Sequence, residues 1–514
     1  MSKKINPISN IQYPMFNFQG WMLALGVTVA LGAAAAGAAE KTRHNLTLAD
    51  CVGLALENNL DLRIEKIARD VAKKEVDAAQ GGYDPNLSIS AKRTHEETLG
   101  PADEDSERLE GESDVDSYGA SVGGATGLGG LRYDVSARTG DSSGTSGGGN
   151  PFDSSSGSAG VTLTQPLLKG FKTDGTRYQV AIARQQSAEA DVQLDAKIQD
   201  VLSQVETAWY ALLQAHESIL VQEDAVRLAT QLYEDNRRKV QIGAISILDE
   251  KQAESQAAAA RADWSSAKRT YAEAQNRLKT LLFADHRATR DLEISAIGEL
   301  SSGPVAVDSA ASGERALEKR PDLRQSRMAL ERQGIAVKYQ RNQTLPSLDL
   351  VGGAGVAAGS EETQGDVYDR MESADEPYWT AGVTLSIPLG NRAAKARHAQ
   401  SLANEEKMKL NLRQLEETAL VEVDDAAAAV ATGFERVQAT KEARTYAEQA
   451  LAAEQRKLEN GKSTSFVVLQ LQRDLTRARN DAIRALMDYN QQCSALALAE
   501  GAMLERLGVV FREE

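Results

Sequence analysis

The sequence predicts a mainly α protein with a β membrane part, built from two internal structural repeats. Long antiparallel helical hairpins pack side by side, and strands contribute to a β-barrel shared between chains. Three observations carry this. Much of the chain is written twice, each copy holds an unbroken helical stretch of well over sixty residues, and each copy has strand segments fenced by prolines.

The duplication is direct. Ala55-Leu56-Glu57-Asn58-Asn59-Leu60-Asp61-Leu62-Arg63 returns as Ala316-Leu317-Glu318-Lys319-Arg320-Pro321-Asp322-Leu323-Arg324. In the same register, Pro85 and Leu87 fall on Pro346 and Leu348. Gly160-Val161-Thr162-Leu163 matches Gly382-Val383-Thr384-Leu385, and Gly243, Ala260-Arg261 and Tyr271 match Gly461, Ala478-Arg479 and Tyr489. A repeat this large implies pseudo-symmetry, which suits a wall built around an axis.

The amino-terminal segment is read as an export signal over residues 1–39. Lys3 and Lys4 are basic, Trp21 to Ala36 is apolar, and Ala36-Gly37-Ala38 supplies small residues for cleavage. After it, no apolar stretch reaches the length of a membrane-spanning helix. Entry into a membrane therefore requires a closed β-barrel, the only other way to satisfy backbone groups in lipid. The net charge of −16 argues against nucleic acid as a partner. With only 5% aromatic residues and abundant alanine, the composition suits thin, closely packed helices. Cys51 and Cys493 are far apart in sequence, and the reading leaves open a disulfide or, as favoured, two separate buried thiols.

Repeat 1 is placed at residues 40–285. Leu48 to Gln80 reads as helix in two pieces, stopped by Gly81-Gly82-Tyr83-Asp84-Pro85. Asn86 to Arg93 alternates as a strand, and Pro101 to Asp116 reads as an acidic loop. Tyr118 to Leu128 and Leu131 to Arg138 read as two more strands about Gly129-Gly130, Asp141 to Ser158 as a Gly/Ser-rich loop, and Ala159 to Gln165 as a strand. The strands occupy 86–165. A long helical hairpin over 174–285 follows, interrupted at Gly243. Residues 286–312 read as an irregular equatorial connector.

Repeat 2 covers 313–514. It has helix to Asn342, strands within 346–388 (Leu348 to Val356 and Trp379 to Ile387), an acidic loop about Glu361 to Glu376, and a helical hairpin over 391–508 broken at Asn460-Gly461. Pro85, Pro166, Pro346 and Pro388 mark the strand–helix junctions, because proline neither donates to a ladder nor sits inside a helix.

Each long arm spans ~100 Å at 1.5 Å per residue. Each return arm is shorter by about the length of the helix that opens its repeat. The lengths predict that each opening helix stacks end to end on a return arm. Helices so long must bury their faces against neighbours. Val383, Leu385 and Ile387 alternate with Thr384 and Ser386, and Val161 and Leu163 with Thr162 and Thr164, as in a barrel wall between lipid and a wet lumen. Tyr378-Trp379 reads as an interfacial anchor. Four to six strands are too few for a useful lumen, so closure requires several chains in a cyclic oligomer.

In this order of elements the chain resembles the outer-membrane factor (TolC-like) family of efflux and secretion ducts, over essentially its whole mature length. The resemblance implies a homotrimer with a β-barrel in the outer membrane and an α-barrel in the periplasm. It implies a passive exit duct of a tripartite efflux or type I secretion system, completed by a periplasmic adaptor and an inner-membrane pump. The glycine breaks at Gly243 and Gly461 are then the hairpin tips, with Arg238, Lys239, Arg456 and Lys457 as adaptor contacts. By position, Val467 and Gln470 stand where some members narrow the mouth with acidic residues, and Asp249 keeps the acidic site in the first copy. An apolar constriction at Val467 is expected, with Asp249 free to pair across helices.

Two features depart from the resemblance or extend it. The first strand region carries about 39 extra residues relative to the second copy. It supplies either two additional strands, giving an eighteen-stranded trimer, or an enlarged outer loop. The acidic segments near Asp103 to Asp116 and Glu361 to Glu376 read as solubilising, with divalent-cation contact to outer-leaflet lipid as the sharper idea. No catalytic constellation, cofactor motif or metal-ligand spacing is found; His44, His95, His216, His286 and His398 are scattered. The competing reading is a periplasmic coiled-coil adaptor or structural rod, which leaves the strand pairs unexplained.

Overall fold

The computed structural model describes residues 43–102, 108–146, 150–298, 300–361 and 363–509. The expected export signal lies outside them. The chain opens with strand β1 (Arg43–Leu46), then helices α1 (Leu48–Asn58) and α2 (Leu60–Gln80). Thr47 caps α1 in a reciprocal box with Asp50. Asn59 is extended, and its side chain accepts from the Leu62 amide at 3.2 Å, which starts α2 afresh after the kink.

Four strands follow, β2 (Asn86–Ala102), β3 (Arg108–Ala125), β4 (Arg132–Thr145) and β5 (Pro151–Pro166). Next come α3 (Gly175–Gln241), α4 (Ile247–Leu282) and the short β6 (Glu293–Ala296). The second copy has α5 (Ser309–Lys319), α6 (Pro321–Gln343), β7 (Ser347–Ser360), α7 (Gln364–Ser373), β8 (Pro377–Ser386), α8 (Arg392–Glu459), α9 (Ser465–Ala499) and α10 (Met503–Arg506).

Several expectations change here. The acidic segment is not a loop from Pro101 to Asp116, because β2 runs to Ala102 and β3 already holds residues 108–116; residues 103–107 lie outside the described set. The Gly/Ser-rich segment from Asp141 to Ser158 is mostly strand, in β4 and β5. The second acidic loop contains α7. The connector is not wholly irregular, since β6 pairs in parallel with β1 from Arg43–Glu293 to Leu46–Ala296. In each case backbone pairing or tertiary packing overrides low local propensity.

The principal sheet has six strands in the order β2-β3-β4-β5-β7-β8, each pair antiparallel. The extra residues of the first copy are therefore two strands and not an enlarged loop. All four prolines sit at strand ends or just beyond: Pro85 before β2, Pro166 closing β5, Pro346 before β7 and Pro388 after β8.

The helices pack as their lengths require. Along α3, α4 is continued by α2, and Asn59 Nδ2 donates to the Leu281 carbonyl at 3.0 Å across the joint. Along α8, α9 is continued by α6. There Gly501, at φ +68°, lies so close to Lys319 and Arg320 that a Cβ would meet their backbone at 2.9 Å. α3 also packs against α9 and α6, which joins the two copies.

The main core lies at mid-length. Cys51, Val52, Ala55 and Leu62 meet Leu202, Val205, Trp209 and Leu212 of α3, Leu278 and Leu282 of α4, Ile294 of β6 and Met503 of α10. A carboxylate is held in this core. Glu206 is fully buried; its two oxygens accept from Tyr210 at 2.8 Å, Ser494 at 2.5 Å and Arg506 at 2.8 Å. Burial, followed by the Glu206 charge, pushes the Tyr210 hydroxyl well above its usual range.

Both cysteines are free thiols in different clusters, Cys51 in the mid-length core and Cys493 half-buried against the neighbouring one. Burial and then the Asp50 charge push the Cys51 thiol from 9.0 up to about 12. Because the thiolate is the nucleophile, Cys51 is expected to resist maleimide at pH 8 in the folded protein and to react fully once denatured. Labelling counted by mass spectrometry checks this; rapid native labelling at Cys51 would contradict its burial. Stability tied to the neutral thiol is whole below pH 9 and is lost as pH climbs toward 12.

Candidate functional site

Three surfaces carry the functional geometry, namely the sheet faces, the two free edges and the hairpin tips. Register fixes the first. Leu87, Val122, Val135, Val161, Ala354 and Trp379 form one cross-sheet row. The next row on that face is Ile89, Ala120, Ala137, Ala159, Val356 and Pro377. The opposite face carries Ser88, Ser121, Ser136, Gly160, Gly355 and Tyr378. Leu87, Ile89, Val122, Val135, Val161, Leu163, Leu350, Trp379, Val383 and Leu385 all lie on the apolar face, and all are exposed. Of the expected aromatic pair, Trp379 is on this face and Tyr378 on the other.

The apolar band runs from Leu348 to Ala358 along β7. At ~3.3 Å per residue and a tilt of ~40° it is ~25 Å tall, the height of a bilayer hydrocarbon band. It ends abruptly. The row above holds Arg93, Asp116 and Asp141. α7 lies over this upper margin with Val367 fully buried, and it can do so because Gly157 has no side chain: a Cβ there would meet Met371 at 2.6 Å.

The second surface is the pair of free edges. In the sheet these are β2 and β8. In the helical part α2 lies on one side of α3, and α8 lies beyond α9 and α6 on the other. So β2 runs on from α2 at one edge, and β8 runs into α8 at the other. α2 exposes a stripe at helical spacing, Leu60, Ile64, Ile67 and Val71, with Ile64 63% and Ile67 64% exposed. α8 exposes Leu402, Leu410 and Val421. Arg327–Glu416 at 2.9 Å and Gln333–Ser401 at 2.8 Å set the height of α8 against α6. By the repeat, α2 stands at the height of α6, so the two apolar stripes face out at matched levels.

The third surface is the tips. At the end of α3, the Ala244 amide donates to the Lys239 carbonyl at 2.8 Å and the Gly243 amide to Val240 at 2.9 Å. At the end of α8, Lys462 donates to Lys457 at 2.8 Å and Gly461 to Leu458 at 3.1 Å. Both are Schellman motifs with glycine at positive φ, +74° and +69°. A Cβ on either would meet nothing, so the backbone dihedral alone demands glycine.

The flanking cations are not equivalent. Arg238 pairs with Asp235 and Lys457 with Glu454, each within its own helix. Among the described residues, Lys239 and Arg456 have no carboxylate at ion-pair distance. Sequence reasoning missed the exposed apolar residues beside them, Ile242, Ile247, Leu248 and Phe466. Their signal was present: apolar side chains inside a predicted turn.

Val467 and Gln470 are exposed on α9 and share a face with Asp474, one turn on. Their neighbours Val468 and Leu469 are buried against Leu232 and Leu451. Asp249 forms no ion pair through its carboxylate among the described residues of the single chain. Its carbonyl instead accepts from Asn236 Nδ2 at 3.1 Å, and Asn236 Oδ1 accepts from Ser465 Oγ at 3.0 Å. Asn236 is fully buried and ties α3, α4 and α9 together just behind the tips. Higher up, Arg479 joins Asp224 of α3 to Glu448 of α8 at 3.2 Å each.

A family model described as outer membrane efflux protein matches residues 51–282 and 313–502. The outer membrane efflux protein BepC of Brucella suis is 25% identical over 371 residues, spanning 69% of this chain and 74% of that protein. Among solved structures, CusC is similar with a TM-score of 0.66 at 18% identity, covering 88% of this chain and 92% of that one. The Campylobacter jejuni CmeC outer membrane channel is similar with a TM-score of 0.63 at 17% identity, covering 96% and 94%.

Proposed function

The chain belongs to the outer membrane efflux protein family, and from that premise we propose that three copies close into one duct through the outer membrane and into the periplasm. The protein is an outer-membrane efflux channel and not an enzyme. The trimer, its partners and the roles of named residues are our reading. One observation supports closure above the rest: each chain carries two complementary open edges, continuous from sheet to helices. β2 and α2 of one copy fit β8 and α8 of the next, with the antiparallel alternation of the sheet preserved.

Three sheets of six strands give eighteen, enough to leave an aqueous lumen. The apolar face then meets lipid and the hydroxyl- and glycine-rich face lines the pore. Protein extracted from outer membranes in mild detergent is expected to have the mass of three chains and to give discrete conductance steps in planar bilayers. A detergent-independent monomer without conductance would end the proposal.

The tips serve as the docking end for a periplasmic adaptor, which couples the duct to an inner-membrane pump. Lys239 and Arg456 supply charge free of internal pairs, and Ile242, Ile247, Leu248 and Phe466 supply apolar contact. Val467, Gln470 and Asp474 line the mouth as successive rings. Val467→Asp is expected to increase cation over anion selectivity and to lower closed-state resistance, since it replaces an apolar ring by three carboxylates. Unchanged reversal potential and conductance in bilayers would remove Val467 from the aperture.

A further inference from the structure

Just above the apolar band, the β2–β3 hairpin gathers one imidazole and several carboxylates on the lipid-side face. His95 stands directly across from Asp114, and Glu97 directly across from Glu112. His95 Nδ1 lies 2.8 Å from Asp114 Oδ1 and 3.8 Å from Glu112 Oε1. One ligand atom from each of His95, Glu112 and Asp114 falls within 4.8 Å of the others. The ladder fixes all three Cα positions, so only side-chain rotation is needed to bring the donors to metal distance.

A second observation points the same way. Glu97 opposes Glu112, and two rows lower Asp116 opposes Asp141, so two like-charge pairs flank His95–Asp114. Directly opposed like charges weaken a sheet. Arg93 answers only part of this charge, lying 3.5 Å from Asp114 and 3.7 Å from Asp116. A small divalent ion held between the strands would offset the repulsion between Glu112 and its acidic neighbours.

We propose that His95, Glu112 and Asp114 bind one divalent transition-metal ion per chain. The imidazole selects zinc-class ions over magnesium or calcium, which prefer oxygen donors throughout. Three protein ligands leave one tetrahedral position open. Given the outward assignment of this face, on which only the location depends, that position faces the headgroup layer and accepts water or a phosphate oxygen.

The test is zinc titration of the purified, detergent-solubilised protein by calorimetry, with zinc-edge X-ray absorption on the loaded sample. One saturable equivalent per chain is expected, with a nitrogen at ~2.0–2.1 Å and oxygens completing the shell. His95→Ala, and separately Glu112→Gln with Asp114→Asn, are expected to weaken binding at least tenfold, while Glu372→Gln binds as the parent does. All four carboxylate and imidazole positions are solvent-accessible, and oligomer mass is measured alongside to confirm folding. Absence of saturable binding, or binding by His95→Ala as tight as by the parent, overturns the site. Conductance of His95→Ala is expected to equal that of the parent, so failure of the metal site and failure of the channel reading are separately visible.

Discussion

Replacing Ile64 and Ile67 together by aspartate is expected to leave each chain folded but unable to assemble. Both side chains are exposed in the single chain, so their loss removes little from its own core. In the proposed ring they would meet the stripe of Leu402, Leu410 and Val421 on the next copy. Burying each contributes about 1.5–3 kcal/mol, which over three seams amounts to roughly 9–18 kcal/mol. Burying unpaired carboxylates instead would cost further. The expected species in mild detergent is a helical monomer, read by light scattering and circular dichroism, and cells carrying it should lose efflux. A stable trimer from the double variant would mean that the seam runs elsewhere.

The second large effect is expected at Asn236. This side chain, buried completely, is the only polar bridge behind the tips, among the described residues, that links α4 to α9 through α3. Asn236→Leu would strand the Ser465 hydroxyl, at about 1–3 kcal/mol for a buried group left without a partner, and would remove the tie from α3 to the Asp249 carbonyl. Ser465 sits in the first turn of α9, two residues before Val467, so releasing it frees the segment that carries the proposed aperture. The expected result is higher conductance at rest and faster proteolysis near residues 240–250 and 460–465, with the oligomer intact. Ser465→Ala should show the same effect more weakly, and the double variant should be less than additive, by roughly 0.5–3 kcal/mol of coupling. Additive behaviour would show that the two side chains do not act as one latch.

Several features were legible because they are local. Proline at four junctions and glycine at two tips each follow from what one residue permits at its own φ. The long helices were legible from unbroken helical patterning, and end-to-end stacking from their lengths alone. The upper parts of β2 to β5 were not. Glu110 to Asp116 and Asp141 to Ser158 are rich in Asp, Gly and Ser, which disfavour strands when read one at a time. They form strands because apolar residues lower in the same hairpins fix the register, and the ladder then propagates upward. α7 was missed for a related reason: its packing site is a glycine more than two hundred residues away in the chain.

What the sequence determined by itself is therefore the repeat, the hairpins, their lengths and the places where the chain turns, since these are set by neighbours a few residues apart. Tertiary structure decided that the sheet has six strands and where its apolar band stops. It also decided that Asn236 meets Ser465 and that His95 meets Asp114 and Glu112. Those depend on contacts between segments distant in sequence, and a periodic pattern records which face a residue occupies without recording what stands opposite.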